Sequence, residues 1–215
     1  MTMKVAGGQA EDGVVIGNTY DKYGTTNPIA RWLVNGFDGA LSALVAGIAP
    51  ESIHEVGCGE GYWVSRWLEQ GIDARGTDFS TQVIAMARAE ARRRGLDEAR
   101  YEARSIYDVT PERDSARLIV CCEVMEHLEE PERALRALEG IVTDDLIISV
   151  PREPLWRVLN MARGKYLSDL GNTPGHLNHW SRRGIVSLVG RHFDIVEVRS
   201  PLPWTMIHCR RRRQT

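Results

Sequence analysis

Between Ser52 and Val150 short apolar runs alternate with helical stretches, and this alternation constrains the fold more than any other feature of the chain. The spacing predicts strands at Ser52–Val56, Ile72–Thr77, Arg100–Arg104, Leu118–Cys122 and Leu146–Val150, with helices over Tyr62–Gln70, Thr81–Arg94 and Pro131–Leu138. Strands separated by helices need right-handed crossovers, which implies a mainly parallel sheet covered on both faces: an α/β, doubly wound fold. Upstream, Pro28 opens an amphipathic helix to Ile48, in which Ile29, Trp32, Leu33, Phe37 and Leu41 recur at helical spacing. After Pro151 the pattern changes to a helix over Trp156–Arg163, a polar stretch at Gly171–His179 and a helix over Ser181–Arg191. Two last strands, near Asp194–Val198 and Thr205–Arg210, are close enough in sequence to be antiparallel neighbours.

Composition removes several other classes. With 43% apolar and 26% charged residues, the chain is neither disordered, collagen-like nor a coiled coil, and its 215 residues suit one domain. No apolar run approaches a membrane span and the N-terminus lacks the pattern of an export signal, so a cytoplasmic protein with no membrane partner is expected. A net charge of −2 is too balanced for a nucleic-acid binder recognised by bulk charge, although only three of the 27 basic residues are Lys. Cys58, Cys121, Cys122 and Cys209 form no CxxC pair and read as reduced thiols. The Gly-rich, aperiodic leader over residues 1–17 is expected to be flexible unless a ligand orders it.

The residues that can carry chemistry cluster after the strands. Glu55-Val56-Gly57-Cys58-Gly59-Glu60-Gly61 ends the first strand and opens a helix, where glycines let the backbone turn sharply and approach a ligand. Its Gly-x-Gly-x-Gly spacing differs from the G-x-G-x-x-G of nicotinamide proteins, and a pyrophosphate would be repelled by Glu55. Asp78, at the end of the second strand, is placed either to accept two ribose hydroxyls or to cap the next helix, a task Ser80 can also take. Glu123 and His127, four apart after the fourth strand, form either part of a site or an exposed ion pair, with Glu126 on the surface. His176 and His179 lie in a polar loop and can exchange protons near neutral pH; with no Cys or carboxylate at ligand spacing, no metal is expected. Trp156, Trp180 and Trp204 are candidates for core, rim or pocket wall, and Arg210–Arg213 reads as a solvated end.

Together the Gly turn and Asp78 resemble motifs I and II of the class I S-adenosylmethionine-dependent methyltransferases, within the methyltransferase type 11 group. Cys122–Leu128 with Pro131 resembles that family's segment after strand four, Ile147–Pro151 its fifth strand, and Gly175–Ser181 its His-containing approach to the next helix. The resemblance implies a Rossmann-like sheet of seven strands with an antiparallel last strand. It implies S-adenosylmethionine as cofactor, S-adenosylhomocysteine as product, and binding along the carboxyl ends of the strands. Gly57, Cys58, Gly59 and Gly61 would surround the methionine part, with Glu55 near its ammonium group. Asp78 would hold the ribose and Phe79 would lie on the adenine, with Ser105 and Ile106 beside it, Ser105 standing where many relatives carry an acid. Glu123 and His127 join the cofactor side. Tyr20, within Asn18–Tyr23, belongs to a stretch resembling one that folds over the cofactor, and His176 or His179 would remove a proton from the acceptor.

The implied organisation is one domain over 1–215, with a lid and helix at 18–48 and an acceptor-side insertion at 151–180. The implied activity is in-line methyl transfer to a nucleophile on a small molecule, a biosynthetic metabolite, by a monomer or homodimer. A nicotinamide-dependent oxidoreductase and a non-catalytic cofactor-binding subunit are the alternatives.

Overall fold

The computed structural model describes residues 4–11, 14–18 and 22–212. Two short strands, β1 (Ala10–Glu11) and β2 (Val14–Val15), pair as a hairpin ahead of the main sheet. That sheet contains β3 (Ser52–Val56), β4 (Asp73–Asp78), β5 (Tyr101–Ala103), β6 (Ala116–Cys122), β7 (Val142–Pro151), β8 (Phe193–Arg199) and β9 (Trp204–Arg211). Their order is β5-β4-β3-β6-β7-β9-β8; β3 to β7 run parallel, and β9 is antiparallel to both of its neighbours. The helices are α1 (Pro28–Ile48), α2 (Tyr62–Glu69), α3 (Thr81–Arg93), α4 (Pro111–Asp114), α5 (Pro131–Ile141), α6 (Leu155–Ala162) and α7 (Arg182–Val189). No helix among the described residues is long and apolar enough to cross a membrane.

The central strands β6 and β7 are apolar through most of their length because both faces are covered, whereas β4 and the edge strands β5 and β8 carry charged residues. Along β6, Leu118 and Val120 join the core shared with Leu41 of α1, Trp67 of α2 and Ala87 of α3. The intervening Ile119 and Cys121 join the core shared with Leu135 of α5 and Val189 of α7, so the period of two splits one strand between two cores. Local signals start the helices: Asn27 Oδ1 accepts from Ile29 N and Ala30 N at 3.0 and 3.1 Å ahead of Pro28, and Ser80 Oγ accepts from Val83 N at 3.1 Å. From β3 the chain proceeds to β4 on one side and returns through β6 on the other, so the loops after β3 and β6 diverge and leave a crevice at the carboxyl ends.

The described part of the leader packs against the rest of the chain. Glu60 Oε1 accepts from Ala6 N (3.0 Å) and Asn18 N (2.8 Å), and Oε2 accepts from Asn18 Nδ2 (2.5 Å). Ala6 and Ile16 bury against Val83, and Glu11 accepts from the hydroxyls of Ser80 and Thr81 at the start of α3. Composition hides this anchoring, because the partners are single carboxylates of Glu60 and Glu11.

A buried polar chain ties the far edge of the sheet to the crevice. Arg104 Nη1 donates to both carboxylate oxygens of Asp114 at 2.7 Å, and the Asp114 carbonyl accepts from His54 Nδ1 at 2.7 Å. His54 Nε2 therefore accepts from Thr77 Oγ1 at 3.0 Å, and the Thr77 carbonyl accepts from Gly57 N (2.7 Å) and Cys58 N (2.9 Å). Burial pushes the His54 imidazole down to about 4, which keeps it neutral. Removing the Asp114 carboxylate leaves the largely buried Arg104 with only the half-exposed Glu102, 2.5 Å from Nη2, as its partner. Asp114→Ala is expected to lose about 2–4 kcal/mol of stability by denaturant unfolding, somewhat below the scale for a buried charge left with no partner. A loss under about 1 kcal/mol would contradict this account.

Candidate functional site

A cleft of about 1510 Å³ opens at the carboxyl ends of the central strands, walled by the loops after β3, β4 and β6 and closed over by α1 and residues 156–166. Pockets for one small ligand typically hold ~300–1,000 Å³, so this one has room for two molecules side by side.

The three glycines of the turn do different things. A Cβ on Gly57 would drive into the Val124 side chain, and one on Gly61 into the Tyr101 ring, whereas one on Gly59 would meet open space. Gly57 thus lets the loops after β3 and β6 pack together at the point where the strand order reverses. Gly61 does not line the cleft, which corrects the expectation that all three surround a ligand; only Gly59 leaves its missing side chain's volume to the cavity. Cys58 is buried and lines the wall beside it.

Acidic groups dominate the floor. Asp78 Oδ2 accepts from Gly59 N at 3.0 Å and Oδ1 from Ser80 N at 3.1 Å, which leaves each oxygen a lone pair. Ser80 is the helix cap, so Asp78 is free of that task, and burial raises its carboxyl above the ordinary range. Glu55 is only 5% exposed, its Oε2 has no hydrogen-bond partner, and burial pushes its carboxyl up to about 8. A buried polar atom without a partner costs roughly 1–3 kcal/mol, and such an atom facing a cleft marks the place of a missing partner.

Glu123 sits in the left-handed region at φ +59°, strained for a residue with a side chain. It is held there by Glu123 N donating to the Ser149 carbonyl (3.1 Å), by Ser149 Oγ donating to Oε1 (3.0 Å) and by Trp204 Nε1 donating to Oε2 (2.5 Å). Burial raises its carboxyl to about 7. The expected pairing with His127 on one helical face does not form, because the chain takes a single 3₁₀ turn at Met125–His127. His127 Nδ1 instead donates to the Gly175 carbonyl at 2.9 Å, leaving Nε2 as the acceptor nitrogen.

Glu126 corrects the expectation that it lies on the surface. It is 2% exposed rather than on the surface, with Oε2 unpartnered, and its carbonyl accepts from Leu177 N (2.8 Å) and Asn178 N (3.0 Å). Those bonds draw the 175–178 loop over the turn, and ligand atoms of Glu126, His127 and His176 come within 4.8 Å of one another. The carboxylate missing at ligand spacing in the sequence is supplied by the fold, and this set can hold a divalent cation.

His176 lines the cleft, stacked near Trp156 with ring centroids 6.0 Å apart, and burial pushes its imidazole down to about 3. His179 does not line the cleft; its Nε2 pairs with Asn172 Oδ1 at 2.7 Å, which corrects its expected place beside the acceptor. Phe79, 43% exposed, and the buried Ile106 line the end next to Asp78. Ser105 also lines it, but its Oγ is engaged by Tyr107 N at 3.2 Å. Tyr20 lies outside the described residues. Its neighbours Lys22 and Tyr23 line the cleft, Tyr23 stacked on Tyr62 with centroids 3.4 Å apart. The sequence reading missed Glu60 and Glu126, and the only signal for Glu126 was its place beside His127.

Residues 53–144 match the family model described as a methyltransferase domain. The chain is 25% identical over 97 residues to a ubiquinone biosynthesis O-methyltransferase of Acinetobacter baumannii (strain AYE), covering 45% of this chain and 41% of that protein. It is 23% identical over 124 residues to the protein of the same name from Aeromonas salmonicida (strain A449), covering 56% and 52%. The chain thus spans about half the length, or less, of these curated relatives. Among solved structures, magnesium protoporphyrin IX methyltransferase (ChlM) from Synechocystis PCC 6803 with bound SAH superposes with a TM-score of 0.65 at 16% identity, over 88% of this chain and 90% of that one. At that identity the likeness is one of fold.

The glycine geometry separates packing from ligand space. Gly59→Ala is expected to cost about 1–2 kcal/mol, the scale for a left-handed non-glycine residue. Gly57→Ala adds about 1–3 kcal/mol of overpacking against Val124. Thermal unfolding of the two variants checks the order, and a Gly59 variant less stable than the Gly57 variant would contradict it.

Proposed function

We propose that this protein, whose residues 53–144 match the methyltransferase-domain model and whose seven-stranded sheet carries β9 antiparallel to its neighbours, transfers the methyl group of S-adenosylmethionine to an oxygen of a small-molecule acceptor. The observation that carries this reading is the unpartnered Oε2 of buried Glu55, a residue at the end of β3 that lines a cleft large enough for cofactor and acceptor together. A cationic cofactor satisfies that oxygen, whereas the pyrophosphate of a nicotinamide dinucleotide would be repelled by it. The choice of oxygen is supported by the O-methyltransferase names of the relatives.

In this reading Glu55 takes the cofactor's ammonium group, and the two free lone pairs of Asp78 accept the ribose hydroxyls. Phe79 and Ile106 lie along the adenine, with Ser105 contributing wall rather than a donor or acceptor. Gly59 allows the backbone close approach. S-adenosylmethionine supplies a methyl group on a positively charged sulfur that leaves as a neutral thioether, so the chain has only to align the acceptor, exclude water and move one proton. Residues 151–180 close the acceptor side. His127 is the better placed base, since its Nε2 is free, while His176 holds a proton too weakly and His179 faces away.

The Glu126, His127 and His176 set favours a second form of the same reading, in which a divalent cation bound there lowers the pKa of an acceptor hydroxyl. His127 and His176 would then act as ligands, and the hydroxyl proton would pass to solvent before methyl transfer.

Two measurements test these statements. By calorimetry the protein is expected to bind S-adenosylmethionine and S-adenosylhomocysteine but not NAD, and Asp78→Ala to weaken cofactor binding by about 1–3 kcal/mol with the fold retained. Binding of NAD alone, or unchanged affinity in the variant, would overturn the reading. For the cation, elemental analysis after dialysis against manganese or zinc is expected to find about one ion per chain, lost in His176→Ala. A wild-type protein without the ion returns the proton to His127.

A further inference from the structure

Resting on the methyl-transfer reading only for which end holds the cofactor, the basic groups of the segment after β7 identify the acceptor's chemistry. The cleft is lined by the acids Glu55, Glu123 and Glu126 and, on the loops after β5 and β6, by Asp108, Glu129 and Glu130. The segment 152–170 at the mouth carries Arg152, Arg157, Arg163 and Lys165 against only Glu153 and Asp169, in a chain whose net charge is −2. Arg157 is committed to the fold, its Nε donating to the Leu170 carbonyl at 3.0 Å. Arg163 and Lys165 line the cleft, and among the described residues no carboxylate pairs with either. Elsewhere arginines are neutralised, as in Arg66–Asp38, Arg94–Glu69 and Arg117–Asp144.

Arg163 is also held in place. Its Nη2 donates to Asn160 Oδ1 at 2.5 Å, and Asn160, 1% exposed, is fixed by Nδ2 donating to the Gly171 carbonyl (2.8 Å) and Thr173 Oγ1 (3.1 Å). A buried amide that orients a guanidinium lacking an acidic partner is a preorganised anion receptor.

Between floor and mouth the wall is aromatic. Trp156 and Trp204 lie 5.8 Å apart by ring centroid, and Phe37 meets Trp204 edge-on at 5.1 Å. Trp156 Nε1 donates to Thr173 Oγ1 (2.8 Å) and Trp204 Nε1 to Glu123 (2.5 Å), so both indoles have spent their polar atoms and offer only carbon surface. A sugar-like acceptor would find no partner on that wall, and a neutral apolar one would leave Arg163 without an anion.

We propose that the acceptor is an amphiphilic anion, an apolar ring system carrying one acidic group, bound with its nucleophile toward His127 and its acid at the mouth on Arg163 and Lys165.

The test uses two fluorescent probes that share a ring system and differ in charge, 8-anilinonaphthalene-1-sulfonate and neutral N-phenyl-1-naphthylamine, titrated into the full chain. The sulfonate is expected to bind about tenfold more tightly, the scale of one charge-assisted contact. In Arg163→Met that preference is expected to fall below about twofold, with Asn160→Ala between the two and Arg117→Met, at the opposite end of the sheet, unchanged. Equal binding of both probes to the wild-type chain, or a preference that survives Arg163→Met, would overturn the proposal. S-adenosylhomocysteine binding is measured on the same samples: its absence beside an Arg163-dependent preference counts against methyl transfer and leaves the anion receptor standing.

Discussion

A carboxylate buried at the end of β3 with one oxygen unsatisfied is the constraint on which the site depends. Glu55 is placed there by an interior strand of the sheet, paired on both sides by β4 and β6. Its carboxyl is raised from an ordinary 4.5 to about 8 by burial, offset partly by Lys22. An acid whose folded value lies above its unfolded value contributes stability at low pH and loses it as pH rises, here between about 4.5 and 8. The free protein therefore carries a destabilising group at neutral pH, and a bound cation removes that penalty.

The geometry around Glu55 is held from outside the cleft. The chain from Arg104 through Asp114, His54 and Thr77 ends on the backbone N–H groups of Gly57 and Cys58, so the turn is fixed through Asp114, His54 and Thr77, which do not line the cleft. On the other side Val124 fills the space beside Gly57, and the strained Glu123 backbone is locked by Ser149 and Trp204. These contacts make the divergence of two loops a rigid site, which is what positioning chemistry requires.

The sequence made the sheet legible because period-two and helical patterns report burial directly. The five parallel strands, the antiparallel pair and the helix starts at Pro28 and Ser80 all follow from local chemistry. Boundaries moved where tertiary pairing extends a strand, as in β7, which begins at Val142 rather than Leu146 through its partners in β6 and β9. The site was legible where a residue's place follows from its strand, as for Glu55, Asp78 and Gly59. It was illegible where a side chain's direction depends on a turn type: Glu126 reads as surface by helical spacing, and one 3₁₀ turn buries it. His179 was misplaced for a related reason, since its partner Asn172 becomes its neighbour only in the folded chain.

The central claim, that a buried acid awaits a cationic cofactor, is tested most directly by calorimetry of S-adenosylmethionine binding in two buffers of different ionisation enthalpy. Between pH 6 and 7.5 Glu55 is largely protonated in the free protein and ionised beside the cation, so binding is expected to release protons and affinity to rise with pH. In Glu55→Gln the proton release is expected to shrink and the pH dependence to flatten. Proton release and a pH profile identical in wild type and variant would contradict the account.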